Sequence, residues 1–467
     1  MRVVVLLFLL IICYCLSIKA QNKQFLYGFQ EIPQSLLENP GGEVNFTKHI
    51  SIPFLSGIYI DAGTNNNLIS NLFSNDRDDI GDKYERIIHQ LSAKDFISVN
   101  EQLDIINIGY KLKNGKDYIN FGLYQELDLI VYHPKDIAIL YYQGNNDANG
   151  NLDLNRRYQI SDINYKSDVI GVFHVGISRR LNRKLTIGAR AKVYSGAFNV
   201  QSLKNKGTIL TRQDLNNNPQ AVLDNVYATI SRSGLTGISK ENFVGTAIKN
   251  TLSFKNFGLG FDIGFTYHIK ENITLSGSVL DIGFINYAKD VTTYKIKGNA
   301  EISSIDLLDP LTDNTQEDWQ DVLVEVNSQI PIDTLHSSYL SFKSPKVYTS
   351  FFYKFGRDYG NNKCTTTANL NHRKYLNEIG VQLHSIFRPI RPQFSGSLFY
   401  TRRLSNFLKG KVTYTINPYS FYNIGLGLST QLGKFNFYVA ADNLLGVADI
   451  YNSKKLSVSL GMNLIFK

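Results

Sequence analysis

The stretch from Phe257 to Ile269 alternates strictly between apolar residues and small or polar residues. Its odd positions hold Phe, Leu, Ile and Tyr, and its even positions hold Gly, Asp, Thr and His. Because successive side chains of a β-strand point to opposite faces, this pattern predicts a strand with one apolar face. The run exceeds the usual strand of about five or six residues and reaches the roughly 9–11 that a tilted strand needs to cross a bilayer. Two interpretations remain open here: a soluble β-sandwich, or the wall of a membrane barrel.

The same two-residue period recurs at 119–129, 185–193, 422–432 and 456–466. In each segment glycine shares the polar face with hydroxyl, amide or charged side chains. The polar face of a soluble sandwich would meet water and carry more Lys and Glu than Gly. Glycine on this face is expected where a strand curves or the interior is crowded, and it therefore favours a barrel.

Sixteen candidate strands can be marked along the chain, and two of them, 335–343 and 362–371, are weak. The sixteen are 49–61, 103–113, 117–131, 168–181, 184–197, 256–269, 272–288, 335–343, 346–356, 362–371, 376–387, 392–404, 408–416, 420–432, 434–442 and 455–466. The pattern predicts an all-β, antiparallel, up-and-down transmembrane barrel of about 14 strands, with a range of about 12–16. The alternation changes phase near Val279–Leu280, which predicts a β-bulge there.

The lengths of the connections support the barrel. When the strands are numbered alternately up and down from a periplasmic N-terminus, the short connections 114–115, 182–184, 270–272 and 432–434 fall at one end. The long insertions fall at the other end: 62–102, 132–167, 198–255 and 289–334. Short periplasmic turns, long outer loops and an even strand number are typical of bacterial outer-membrane barrels. Apolar residues at helical spacing near 66–73, 83–91 and 318–326 predict short helices in the outer loops or the lumen.

The N-terminus predicts export. Arg2 precedes an apolar run from Val3 to Leu16 and short polar residues leading to Ala20, which is the layout of a cleaved signal peptide over 1–20. Cys13 and Cys15 are expected to leave with it, although a lipid anchor at one of them stays open. Residues 21–48 contain prolines and a Gly-Gly pair and are predicted to lie near the lumen, ahead of a barrel domain at 49–467.

Charge and hydropathy exclude two other classes of protein, nucleic-acid-binding proteins and helical membrane proteins. The chain has 49 Lys+Arg against 40 Asp+Glu, and loss of Arg2 and Lys19 leaves a net charge near 47 − 40 = +7. This excess is spread along the chain, so no nucleic-acid partner is predicted. No later stretch has eighteen consecutive apolar residues, so a membrane location requires a closed barrel, which satisfies all backbone groups within lipid.

Candidate chemistry is limited to polar residues predicted to face the lumen. These are Glu126, Asp128, His174, Arg190, Lys192, Asp262 and His268. A Ser–His pair such as Ser178 with His174 would need hydrogen-bond reach, whereas residues i and i+4 of a strand lie about 13 Å apart. Glu126 and Asp128 are better explained as partners of neighbouring Arg or Lys than as a general-acid pair. The chain is therefore predicted not to be an enzyme, with no catalytic residue, cofactor or metal.

Three segments carry a resemblance to a known family: LYGFQEIPQSLLENPGG (26–42), FGLGFDIGFTYHIKENITLSGSVLDIGFINYA (257–288) and FNFYVAADNLLGV (435–447). On these the chain resembles a family of Bacteroidota outer-membrane barrels assigned to a domain of unknown function. It is distantly similar to FadL-like fatty-acid transporters and to PorV/PorP-type barrels of type IX secretion. The resemblance implies about fourteen strands and an N-terminal segment near the lumen, and it supplies no catalytic residue.

Two functions are consistent with this sequence. The first is passive or gated transport of a small or hydrophobic molecule through the bacterial outer membrane, which predicts room in the lumen. The alternative is a structural or interaction barrel in a secretion or envelope complex, which predicts a filled lumen and exposed apolar patches on the loops 198–255 or 289–334. The expected partners are outer-membrane lipid, the barrel-assembly machinery and, for the alternative, a lipoprotein or secretion component.

Overall fold

The computed structural model describes residues 25–66, 83, 87–143, 151, 153–154, 156–213, 219–236, 243–302, 332–357, 375–444 and 454–467. The predicted signal peptide, the candidate strand 362–371 and the candidate helical segment 318–326 lie outside these residues, as does the candidate helical segment 66–73 after Asn66.

The described chain is mainly β-structure. Its strands are β1 (Lys48–Ser51), β2 (Ile58–Thr64), β3 (Phe96–Lys111), β4 (Asp117–Tyr132), β5 (Arg157–Gln159), β6 (Asn164–Arg180), β7 (Leu185–Ser202), β8 (Lys206–Gln213), β9 (Pro219–Ser233), β10 (Phe257–Lys270), β11 (Ile273–Tyr287), β12 (Val291–Ile302), β13 (Ile332–Leu335), β14 (Tyr339–Phe342), β15 (Lys346–Arg357), β16 (Tyr375–Phe387), β17 (Pro392–Arg403), β18 (Leu408–Ile416), β19 (Asn423–Leu432), β20 (Phe435–Ala441) and β21 (Lys455–Phe466). Short helices are α1 (Ser35–Glu38), α2 (Lys135–Gln143) and α3 (Phe243–Thr251), and a 3-10 turn covers Ile160–Asp162.

The strands form a closed antiparallel barrel of 14 wall strands, as the sequence predicts. Neighbours along the wall are β1 with β2, then β3, β4, β6, β7, β10 and β11, then β14 with β15, then β16 to β21 in order. The last strand, β21, pairs with both β1 and β2 and closes the ring. Since both flanking strands pair with β1 and with β2, these two short strands form one wall strand interrupted at 52–57.

A second interrupted wall strand reduces the number of wall strands below the sixteen candidates. The candidates 335–343 and 346–356 do not form separate wall strands, because β14 and β15 both pair with β11 and share one place in the wall. The residues between them, 343–345, interrupt the strand without reversing the chain. The prediction of two strands here was wrong because alternation along the sequence does not show whether the chain turns.

The connections divide between two ends. The short-turn end holds the turns after β3, β6, β10, β17 and β19, and the long-loop end holds the insertions predicted to be long. One connection at the short-turn end, 358–374, is also long and falls outside the described residues. The insertion 198–255 is not only loop, because it contains the end of β7, β8 and β9. Strand β9 pairs with β7 and β8, and also with β12 of the insertion 289–334. A small sheet of β5, β8, β9, β12 and β13 therefore extends the wall at this end.

The outer face of the wall is apolar. All seven odd positions from Phe257 to Ile269 are exposed, by 37–48%, whereas Asp262 on the opposite face is fully buried. The bulge predicted near Val279–Leu280 is confirmed: Phe261 pairs with Ile282 and Ile263 with Val279, so two residues of β11 are opposed by one of β10. Asp281 within it has a φ of 60°. No helix among the described residues has the length and hydropathy to cross a membrane.

Substituting Ile263 by Arg tests the lipid-facing assignment, because this residue is central in the outward row of β10. An arginine at the bilayer midplane of a barrel costs about 2–4 kcal/mol, whereas an exposed position in water usually changes stability by about 0.5 kcal/mol or less. We expect Ile263→Arg to lower the free energy of unfolding by the larger amount, measured by urea titration of the barrel in lipid vesicles with heat-shifted gel mobility as readout. Asn406→Arg, in the exposed turn after β17, is the control. Equal effects of the two substitutions would contradict a lipid-facing wall.

Candidate functional site: a plugged, charged lumen

Residues 25–47 lie inside the barrel, and we call this segment the plug. Its apolar side chains are buried: Ile32 is fully buried, and Leu36 and Phe29 are 1% and 2% exposed. Pro33 and Pro40 restrict the backbone, so the only regular element of the plug is the four-residue helix α1. A compact segment without β-strands can lie inside a barrel without an unpaired strand edge.

Side chains of several wall strands hold the backbone of the plug. Arg190 of β7 donates to the carbonyl oxygens of Leu36 and Leu37, and Ser278 of β11 donates to the carbonyl of Glu38 at 2.6 Å. Further donors are Lys411 of β18 to the carbonyls of Phe25 and Tyr27, at 3.0 and 3.1 Å, and Ser178 of β6 to that of Gly42, at 3.0 Å. The wall thereby satisfies the carbonyls that helix α1 leaves without partners at its end, and further carbonyls before and after this helix.

Two amide side chains add direct contacts. Gln34 of the plug and Asn463 of β21 exchange hydrogen bonds of 3.0 and 2.9 Å. Asn39 donates to the carbonyl of Phe265 at 3.1 Å and accepts from the Gly41 amide at 2.9 Å, which stabilises the turn at Pro40. The plug is thus bound to opposite sides of the wall.

Glycines of the wall allow the plug to approach the backbone. A Cβ atom at Gly188 of β7 would lie 2.0 Å from the carbonyl oxygen of Pro40, and one at Gly264 of β10 would lie 2.1 Å from Asn39 Oδ1. At Gly427 of β19 a Cβ atom would lie 1.7 Å from the ring of Phe25. No other residue fits these positions without moving the plug, so they are specific contact sites for it.

The end of the plug nearest β1 is held by a carboxylate. Glu43 accepts from Thr186 at 2.8 Å and from His268 Nε2 at 3.0 Å. Burial alone would raise the pKa of Glu43, but the hydrogen bond and charge of His268 outweigh it and lower the pKa from 4.5 to about 2. Glu31 pairs with Lys409 at 3.0 Å on the opposite side of the lumen.

Aromatic rings complete the contact between plug and wall. The Tyr27 ring stacks on that of Tyr348 at 5.1 Å, and Tyr348 lies 4.4 Å from the His384 ring. Phe46 packs edge-on against Tyr118, with ring centroids 5.8 Å apart. Stacked and edge-on pairs of this kind add to the apolar burial of the plug.

Beyond the plug a network of buried charges crosses the lumen. Asp262 of β10 lies 2.9 Å from Lys192 and 3.4 Å from Arg190, both of β7. Lys192 also contacts Asp281 at 2.5 Å, and Asp281 contacts Lys346 at 2.9 Å. The network continues from Lys346 and Lys343 to Glu126, at 3.7 and 3.2 Å. It links strands β7, β10, β11, β15 and β4, so it joins opposite parts of the wall.

Three further ion pairs lie towards the long-loop end. Asp128 pairs with Arg388 at 2.5 Å, and Asp61 with Lys455 at 2.6 Å. Asp168 pairs with Lys166 at 3.3 Å and accepts from Tyr287 at 3.0 Å. Because a buried charge without a partner is costly, this pairing keeps the lumen stable while leaving it polar.

The structure places the seven candidate residues on the inner face of the wall. Arg190, Lys192, Asp262 and Glu126 belong to the charge network, Asp128 lies in a separate ion pair, and His268 contacts the plug. His174 is 3% exposed beside Tyr124, with ring centroids 5.9 Å apart. Ser178 donates to Gly42 of the plug. Among the described residues, no three His, Cys, Asp or Glu side chains are grouped to hold a metal ion.

Sequence reasoning missed several members of the site. Asp281 follows the predicted bulge, and its phase already indicated an inward side chain. Lys343 and Arg388 are different, because each lies outside a regular strand, where alternation carries no information on direction. The plug contacts at Gly188, Gly264 and Gly427 were predicted only as crowding of the interior.

A small pocket lies between the plug and the interruption of the wall at 52–57, and its lining includes Gln34, Glu38 and Asp104. Its volume is about 10 Å³. One water molecule needs about 10–15 Å³, so this pocket is water-sized.

Several solved structures show a similar arrangement of the whole chain at low identity. The Pseudomonas putida toluene transporter TodX is 11% identical, with 96% of this chain and 93% of that chain covered and a TM-score of 0.38. A Pseudomonas aeruginosa FadL homologue is 8% identical, with 93% and 94% covered and a TM-score of 0.42. The CymD monoaromatic hydrocarbon channel is 9% identical, with 94% of each chain covered and a TM-score of 0.39. These values are too low to support a statement on what this chain binds.

Sequence comparison gives a family but no characterised relative. No curated protein matches the chain significantly. The model of a family of unknown function, DUF5723, matches residues 40–442, which include all wall strands from β1 to β20 and the end of the plug. The chain therefore belongs to DUF5723.

Proposed function

We propose that this protein is a gated outer-membrane channel in which the plug of residues 25–47 closes the lumen. The observation that carries the proposal is the close contact of the plug with glycines of the wall, at Gly188, Gly264 and Gly427. A barrel of about eight strands fills its interior with side chains, whereas one of about sixteen leaves an aqueous channel. A fourteen-stranded wall lined by glycine leaves a bore that a separate peptide has to fill.

The plug is attached to the wall by two kinds of contact. Hydrogen bonds and ion pairs join it to polar side chains of the wall, such as Arg190, Ser178 and Lys409. Each of these contributes about 0.5–1.5 kcal/mol net, because water replaces it on release. The apolar side chains of the plug also pack against the wall, so release of the plug has to offset the burial of these side chains as well.

The lumen indicates the class of solute. The charge network of Asp262, Lys192, Asp281 and Lys346 remains on the wall when the plug leaves, since its ion pairs join wall strands to one another. A path lined by paired charges favours a small polar solute over a hydrophobic one, because an apolar solute gains nothing from displacing water there. The hydrophobic alternative is tested by using both solute classes in the transport assay.

The exposed apolar face supports a membrane location, and the division of turn lengths supports an outer-membrane orientation with the short-turn end towards the periplasm.

A structural or interaction barrel is the second candidate. It is favoured by the plug inside the lumen and by exposed apolar side chains in the insertion 198–255, where Leu252 and Phe254 are 50% and 40% exposed. A barrel that conducts no solute after the plug is removed would favour this second function.

Substituting Gly188 by Ala tests the gate. The added methyl group meets the backbone of Pro40, and overpacking of this kind costs about 1–3 kcal/mol. The released fraction of plugs is then expected to rise by about 5- to 150-fold. Uptake of a small sugar and of an aromatic hydrocarbon by proteoliposomes would measure the change, and protease cleavage within 25–47 would report release of the plug.

Gly396→Ala is the matched control. Gly396 also lies in a wall strand, β17, but its added Cβ atom would meet only Leu383 at 3.7 Å, an ordinary contact distance. We expect wild-type uptake from this variant. If Gly188→Ala released the plug to protease and uptake of both solutes stayed at the wild-type level, the gate would be refuted.

The plug is also expected to open in acid. Because the folded pKa of Glu43 is about 2 against 4.5 for the free group, the carboxylate stabilises the docked plug above pH 4.5. This contribution fades as the pH falls from 4.5 towards about 2. Uptake by wild-type proteoliposomes should therefore rise over this range. Glu43→Gln should show higher uptake at neutral pH and a smaller rise in acid. A Glu43→Gln profile identical to that of the wild type would show that this pair does not hold the plug.

A further inference from the structure

One side of the short-turn end carries a dense group of exposed cations. Eight of them lie at the ends of strands β3, β6 and β10 and on the turns that lead from β3 to β4 and from β6 to β7. We call this group the basic rim, and it consists of Lys111, Lys113, Lys116, Arg179, Arg180, Arg183, Lys184 and Lys270. These elements are neighbours in the wall, since β4 pairs with β6 and β7 with β10. The basic rim is thus one continuous surface.

Few acids neutralise this surface. Asp117 is buried and receives two hydrogen bonds from Arg179, of 2.6 and 2.7 Å. Glu271 is exposed in the turn after β10. Glu43 of the plug also lies close enough to Arg180 for the two charges to interact. Eight cations against these three carboxylates leave an excess of five positive charges at this end of the barrel. Within the part of the chain that the structure describes, Arg179 is the member of the basic rim that forms an ion pair.

The basic rim borders the lipid-facing surface. On the outward face of β6, Val175 and Ile177 are 60% and 38% exposed, and Arg179 is the next residue on that face. On β10 the exposed Tyr267 and Ile269 directly precede Lys270. The cations therefore begin where the apolar band ends, at the level of the phospholipid headgroups of the adjoining leaflet.

We propose that the basic rim binds the phosphate groups of anionic phospholipids in that leaflet. A guanidinium group donates two parallel hydrogen bonds to phosphate oxygens, and an ammonium group adds positive charge without requiring one orientation. A lipid is favoured over a soluble anion because its acyl chains pack on Val175 and Ile177 while its phosphate meets the cations of the adjoining turn, Arg183 and Lys184. Each cation near an anionic surface adds attraction that falls off within a Debye length.

This proposal is independent of the gated channel. It requires a barrel in a bilayer, and it does not require the plug to move. The surface lies at the short-turn mouth of the barrel, and none of its residues belongs to the charge network of the lumen.

The test measures the lipid selectivity of the reconstituted full-length barrel. Spin-labelled phosphatidylglycerol and phosphatidylcholine are compared by the fraction of each that is immobilised at the protein surface. We expect the wild type to prefer phosphatidylglycerol by about fivefold or more at low salt, with the preference reduced at high salt. In the variant Lys113→Gln/Lys116→Gln/Arg183→Gln/Lys184→Gln the preference should fall to about twofold or less. Heat-shifted gel mobility of the same samples would show that the barrel is folded.

A matched variant removes the same charge from the other end. Lys94, Lys206, Lys255 and Lys289 are exposed at the long-loop end, and their replacement by Gln should leave the phosphatidylglycerol preference unchanged. Equal loss of selectivity in both variants would show an effect of net charge and would overturn the proposal. An unchanged preference in the basic-rim variant would overturn it as well. Inorganic phosphate that displaces the labelled lipid more strongly than chloride at equal ionic strength would assign the surface to a soluble anion instead.

Discussion

Closure of the wall is the constraint on which the other features depend. Lipid offers no hydrogen-bond partner to the backbone, so each strand that crosses it must pair on both edges. Pairing of β21 with β1 and β2 meets this requirement. Closure with fourteen strands then creates an interior wider than one layer of side chains fills. The plug and the long charged side chains of the lumen occupy this interior.

The interior is polar because side chains alternate along each wall strand. Each strand presents its apolar residues to lipid, so the alternate residues face inward and are polar or small. Opposite charges are placed on strands that are not neighbours in the wall, as with Glu126 of β4 and Lys346 of β15. Such pairs do not replace a hydrophobic core in stability, because desolvation offsets most of their attraction. They do fix which strands face one another across the lumen, since a misplaced strand would leave a buried charge unpaired.

The plug depends on the same alternation. Its turn at Pro40 fits the wall only because Gly188 and Gly264 lie side by side on β7 and β10, where their register pairs them directly. A side chain at either position would occupy the space of the plug backbone. The wall and the plug are therefore complementary at the level of backbone contact, and the remaining hydrogen bonds orient a segment whose position the glycines already determine.

The sequence by itself determined which face of each strand meets lipid, because a period of two residues is a local property that does not depend on partners. For the same reason it predicted the bulge in β11 and the inward direction of Arg190, Lys192 and Asp262. The even number of strands followed instead from the division of the short and long connections between two ends. Local pattern could not show that β14 and β15 share one place in the wall, since this depends on pairing with β11. It could not show the ion pairs of Lys343 and Arg388, which lie in irregular segments. Tertiary structure alone decided that Glu43 meets His268 and that Gly188 meets Pro40, because these residues are far apart in the chain and closure of the barrel brings them together.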